Sequence, residues 1–134
     1  MPETSADDLF QAALGVRSHA HAPYSGFAVG VALRTETGAI FAGCNVENAS
    51  YPEGACAETG AISAMVAGGG KRIVELLVVG ENDEPLTPCG GCRQRIAEFA
   101  GPETLVHSAD PDGIRKSWTL GELLPFAFGL GAGP

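Results

Sequence analysis

Basic residues are scarce in this chain. Lys and Arg number 8 against 16 Asp and Glu, a formal net charge of −8. That balance excludes a protein that tracks a phosphate backbone, because such affinity comes from clustered Lys and Arg. No apolar run approaches the roughly 18 residues that span a bilayer, and the opening MPETSADD is acidic where a secretory leader is basic. Neither a membrane partner nor export is therefore expected, and the expected compartment is the cytoplasm. Charged residues are 18% of the chain, below the usual share of about a quarter, so less charged surface is offered to water than a monomer normally carries. No internal repeat is present, and the GGGKR run at 68–72 lacks the spacing and the Ser/Thr of a phosphate loop. It reads as a helix terminator.

The 134 residues predict a single domain, 1–134, large enough to bury roughly two thirds of its unfolded surface without disulfide staples. Apolar residues at helical spacing predict a first helix over about 6–19. Phe27–Thr35 and Ala39–Asn45 read as strands flanking a short Gly-containing turn, a hairpin pattern. NVENASYPEGA, 45–55, has no period and is a long loop of the kind that often carries function. A helix is expected from Cys56 to the triple glycine at 68–70, and a buried strand over Ile73–Val79 (IVELLVV). A second helix is predicted over about 89–100, then a strand at 104–108 and a helical turn near 120–124. The order β-β-α-β-α-β after an opening helix points to one sheet covered by helices.

The four cysteines are Cys44, Cys56, Cys89 and Cys92, and in a reducing compartment they read as metal-binding or catalytic. Cys89 and Cys92, three apart in PCGGCRQ, share a helix face with β-carbons roughly 5–6 Å apart, close enough for one tetrahedral zinc. Cys56, at the predicted start of the other helix, supplies a third ligand. Both helix N-termini then point at the metal, and their partial positive ends favour thiolates. Three ligands leave a coordination position open, the mark of catalytic zinc. Glu58, two residues after Cys56, reaches a water on that zinc and can carry its proton. Two other readings use the same residues. One is a four-thiolate structural zinc that includes Cys44, the other a Cys/His hydrolase using His19, His21 or His107.

CAE at 56–58 with PCGGCRQ at 88–94 resembles the zinc-dependent nucleoside and nucleotide deaminases. Cys in the first ligand position, with PYSGFAVG at 23–30, GCNVENASY at 43–51 and ELLPFAFG at 122–129, is similar to the small homotetrameric cytidine deaminases. The resemblance implies a three-layer α/β/α fold with one mixed, roughly five-stranded sheet. It implies one Zn2+ per chain at Cys56, Cys89 and Cys92, and Glu58 as proton shuttle. Phe27 would stack on the pyrimidine, the backbone around Ala57 would read the base edge, and Asn45 and Glu47 would hold the 3′-hydroxyl. Tyr51 and Phe128 would contact a neighbouring subunit's site, with the tail 125–134 at that interface.

The implied reaction is hydrolytic deamination of cytidine and 2′-deoxycytidine to the uridines and ammonia, a step of pyrimidine salvage. A related deaminase of another small aminopyrimidine or nucleoside antibiotic is the alternative enzyme, and a structural-zinc interaction module the alternative of another class. One departure from the family's pattern stands out: Thr59 follows CAE, where the family often carries an Arg that offsets the thiolates. Arg93, beside Cys92, and the two helix dipoles are then the expected compensators.

Overall fold

The structure, a computed structural model, describes residues 5–130. Helix α1 spans Ser5–Arg17 and fully buries Leu9 and Ala13, whose i, i+4 spacing sets one stripe against the sheet. Strands β1 (Gly30–Thr35) and β2 (Ile40–Cys44) pair antiparallel. Their connecting turn takes Gly38 to φ 89°, a left-handed conformation that a β-carbon disfavours. A single 3-10 turn, Tyr51–Glu53, leads to helix α2, Ala57–Ala67. Strand β3 (Ile73–Val79), helix α3 (Gly90–Phe99), strands β4 (Leu105–Asp110) and β5 (Gly113–Thr119) and the short helix α4 (Leu120–Leu123) follow.

The five strands form one sheet in the order β2-β1-β3-β4-β5. Only β3 and β4 run parallel, a pairing that needs a crossover, which α3 provides. Helix α1 packs across β1, β2 and β3, while α2 packs against β1 and β2 with α3 beside it. In register, Leu33 faces Leu76 and Leu76 faces Val106, and with Val31 and Val78 they meet Ala61, Met65 and Ile96 of α2 and α3. The alternate residues Ala32, Leu77, Val79 and Ala109 meet Leu9 and Ala13 of α1. Each fully buried Leu or Met here contributes about 1.5–3 kcal/mol, so both layers are fixed by the alternation itself. The expected three-layer, mixed, five-stranded architecture is present.

Helix α2 lies unusually close to β2. A β-carbon at Gly43 would stand 2.4 Å from the Ala61 nitrogen and 2.8 Å from the Ala57 carbonyl oxygen, so only glycine lets the helix N-terminus settle onto the sheet.

Two expectations need correction. The strand predicted from Phe27 begins at Gly30, because the Phe27 carbonyl and the Val29 N–H bond to the Asn45 side chain and the Ala28 carbonyl to Arg17, while the Val29 carbonyl takes the Asn45 backbone N–H just past the end of β2. Strand β5 had no counterpart in the sequence reading. Its GIRKSWT is mostly exposed at the sheet edge and carries Arg115 and Lys116, the charged edge that discourages pairing with other chains and hides alternation. No helix among the described residues is long and apolar enough to cross a membrane.

Candidate active site

The N-terminal ends of α2 and α3 meet at the sheet surface. Cys56 and Cys89 are the N-caps of these helices, and Cys92 lies one turn into α3. The three sulfurs lie within 4.8 Å of one another. A tetrahedral zinc with Zn–S bonds of about 2.3 Å sets its sulfurs about 3.8 Å apart, so the donor set fits that metal after a small closure. Cys92 is buried and the other two are exposed, leaving one side of the cluster open to the pocket. Cys44, at the end of β2, is not part of the cluster, and no histidine joins it among the described residues.

Electrostatics differ among the three thiols. Burial pushes Cys56 and Cys92 up, and the charge of Glu58 adds to both. Burial also acts on Cys89, but the Cys92 backbone N–H and the Cys92 and Cys56 side chains outweigh it, so that its thiol falls below the ordinary range. A backbone N–H aimed at a sulfur is what a helix N-terminus offers, because its first amides have no intrahelical acceptor.

Glu58 is 5% exposed. Burial raises its carboxyl above the usual range, while its own backbone N–H, the Cys92 thiol and the charge of Arg95 pull the other way. A carboxyl drawn toward neutrality beside a metal site is suited to accepting and returning a proton.

A cavity of about 300 Å³ opens from the cluster, lined by Phe27, Asn45, Ala57, Glu58, Val78 and Leu86 among others. It continues into a wider recess of about 540 Å³ bounded by Tyr24, Val46, Asn48 and Tyr51. Ser25, Asn45, Glu47 and Cys56 line both. The first is narrow and mostly apolar, as a flat base requires, and the second is wider and holds Asn and Glu side chains suited to hydroxyl groups.

The sequence placed Asn45 and Glu47 in a loop, and both are held firmly. The Asn45 side chain accepts from Val29 N–H at 2.9 Å and donates to the Phe27 carbonyl at 2.8 Å. Glu47 accepts from the backbone N–H groups of Tyr24 at 2.9 Å and Ser25 at 3.1 Å, and from the Ser25 hydroxyl. The Ser25 hydroxyl is the main reason its carboxyl is held below the usual range. Tyr51 stacks edge-on to Tyr24, ring centres 6.2 Å apart, and stays 78% exposed. Phe128 is 73% exposed and does not line this chain's own pocket, its backbone bonded to the Gln94 side chain through both its N–H and its carbonyl. Of the predicted tail, 131–134 lie outside the described residues.

His107, offered above as a hydrolase partner, is tied elsewhere: its two ring nitrogens bond Glu75 at 2.6 Å and Ser117 at 2.7 Å across β3, β4 and β5. The expected compensator Arg93 is also engaged, donating to the carbonyls of Pro88 and Leu123 and to the Thr87 hydroxyl. The cation that does touch the cluster is Arg95, whose Nη1 stands 3.6 Å from Cys92 Sγ. Sequence reasoning missed it, although its i, i+3 spacing from Cys92 was a legible signal.

Residues 3–108 match the family described as cytidine and deoxycytidylate deaminase zinc-binding region. The chain is 40% identical over 130 residues to the cytidine deaminase of Mycobacterium tuberculosis, covering 97% of this chain and 94% of that protein. It is 42% identical to the one from Sporosarcina psychrophila, with 84% and 82% covered. The crystal structure of cytidine deaminase from Burkholderia pseudomallei superposes with a TM-score of 0.86 at 42% identity, covering 96% of this chain and all of the other. With its paired helix-start cysteines and buried glutamate in the same stretch, the chain belongs to the cytidine and deoxycytidylate deaminase family.

Proposed function

We propose that this chain hydrolyses cytidine and 2′-deoxycytidine to uridine and 2′-deoxyuridine with release of ammonia. The observation that carries the reading is the juxtaposition of three thiols within 4.8 Å of one another with a buried carboxyl, Glu58, at the wall of a cavity of about 300 Å³. Cys56, Cys89 and Cys92 would hold zinc, which when bound supplies Lewis-acid activation of water at neutral pH.

The remaining chemistry belongs to the chain. Glu58 takes a proton from the water that attacks C4 and delivers it to N3 of the base. It then moves the proton of the new C4 hydroxyl to the departing amino group, leaving the carbonyl of uridine. Phe27 offers its face to the pyrimidine, and the backbone at Ala57 reads the base edge where the first helical N–H groups are free to donate. Asn45 and Glu47 receive the 3′-hydroxyl in the wider recess.

A neutral nucleoside suits that recess better than a nucleotide, because 45–55 contains no Lys or Arg and brings Glu47 and Glu53 instead. The reading treats 1–134 as one deaminase-like domain working in the cytoplasm, where thiols stay reduced. It also takes the active unit as a homotetramer. Tyr51 and Phe128, both exposed beside or beyond the site, would close a neighbour's pocket against water. A substrate panel tests the core of the proposal. Loss of cytidine absorbance with matching ammonia release supports it, and turnover confined to a different aminopyrimidine would replace it with the alternative deaminase.

A further inference from the structure

Three thiolates around one Zn2+ leave one negative charge uncompensated, and the chain has few cations with which to offset it. Thr59, the nearest position after Glu58 on α2, is uncharged. Arg93 is spent as a brace, its guanidinium donating to two carbonyls and a hydroxyl at 2.8–3.1 Å. Arg95 remains. Its Nη1 contacts Cys92 Sγ at 3.6 Å, and no carboxylate among the described residues lies within ion-pair distance of it. A second observation points the same way: a β-carbon at Gly91 would stand 3.3 Å from that same Nη1. A bare glycine between the two cysteines thus leaves the space in which the guanidinium lies across the start of α3.

We propose that Arg95 is a positioning residue for the zinc site, reaching back one helical turn to neutralise the excess charge at Cys92 Sγ in the space Gly91 leaves open. The proposal rests on the reading of the three thiols as zinc ligands. An Arg keeps its charge at any working pH and donates through a fixed fork, so it stabilises the anionic zinc–thiolate complex relative to the metal-free chain. By drawing electron density from the sulfur it also keeps the metal a stronger Lewis acid. Partners of metal ligands typically change metal affinity or activity by about 10- to 100-fold. Arg95 is itself exposed, where water and salt screen its charge, so the low end, about tenfold, applies.

The test compares zinc-loaded wild type with Arg95→Gln and Arg95→Lys. Zinc transfer to a colorimetric chelator is followed without substrate, so its outcome does not depend on which nucleoside the enzyme accepts. Arg95→Gln is expected to release zinc about tenfold faster at low salt, with the difference shrinking as salt rises. Its kcat for cytidine should fall by a similar factor at unchanged KM, and Arg95→Lys should recover most of both. Zinc release from Arg95→Gln at the wild-type rate overturns the proposal. So does a loss that salt leaves unchanged and Lys fails to restore, since that pattern belongs to packing and not to charge.

Discussion

Asn45 holds Phe27 in place: its Nδ2 donates to the Phe27 carbonyl at 2.8 Å while its Oδ1 accepts from Val29 N–H at 2.9 Å. The side chain takes the place of strand pairing at Phe27 and at the Val29 N–H, and fixes the aromatic wall of the cavity from a residue that also lines the wider recess. Asn45→Ala should therefore weaken base binding as well as sugar binding. A rise in KM for 3′-deoxycytidine, which already lacks the hydroxyl, separates this outcome from loss of a hydroxyl contact alone.

Zinc content distinguishes ligands from bystanders. Cys56→Ser, Cys89→Ser and Cys92→Ser should each deplete the metal, and Cys44→Ala should keep one zinc per chain, as measured by metal analysis of the purified proteins. Depletion in a folded Cys44→Ala would require a four-thiolate site.

Glu58→Gln keeps the shape and removes the carboxyl proposed to carry protons. Zinc and melting temperature should stay near wild type while kcat falls by about 10³- to 10⁴-fold or more, the upper range for a group that transfers protons in more than one step. Steady-state rates of the zinc-loaded variant decide it, and a wild-type rate would remove Glu58 from the mechanism.

The sugar contact sets a specificity. A hydroxyl that pairs with a carboxylate adds a charge-assisted hydrogen bond that its deoxy analogue cannot make, so 3′-deoxycytidine should lose about 10²-fold in kcat/KM while 2′-deoxycytidine stays close to cytidine. Equal kcat/KM for cytidine and 3′-deoxycytidine would remove Glu47 and Asn45 from that role.

The tail makes a prediction about assembly. Gln94 grips the Phe128 backbone at 3.0 and 3.1 Å and leaves the ring outward, so a chain ending at Leu124 should lose activity more than zinc, and Gln94→Ala should lose part of it. Light scattering at assay concentration is expected to give a tetramer, and a fully active monomer would defeat the cross-subunit reading.

Gly43→Ala probes the close approach of α2 to β2. With backbone atoms 2.4–2.8 Å from the new β-carbon, the helix must move, at a cost of about 1–3 kcal/mol. Chemical denaturation should show the loss, and kcat should fall with it because Cys56 and Glu58 ride on that helix.

The sequence alone determined the local terms: the two helix starts at Cys56 and Cys89, the i, i+3 cysteine pair, the strand-like hairpin of β1 and β2, the apolar run of β3, and the turn glycines. Those depend on near neighbours in the chain, and residue periodicity with Pro and Gly punctuation reports them directly. Strand β5 escaped because an exposed edge has one wet face and charged residues, which erases the alternation that marks a strand. The tertiary structure decided the rest. It brought two helix starts 33 residues apart in sequence to sulfur contact through Gly43 and the sheet register. It turned Asn45 and Glu47 from loop residues into fixed pocket walls by bonding them to 24–29. It also chose Arg95 over Arg93 as the cation at the cluster. Chain adjacency sets a residue about 100° around the helix from its neighbour, while three steps return nearly to the same face. Which face the partner groups occupy is fixed only when the helices dock.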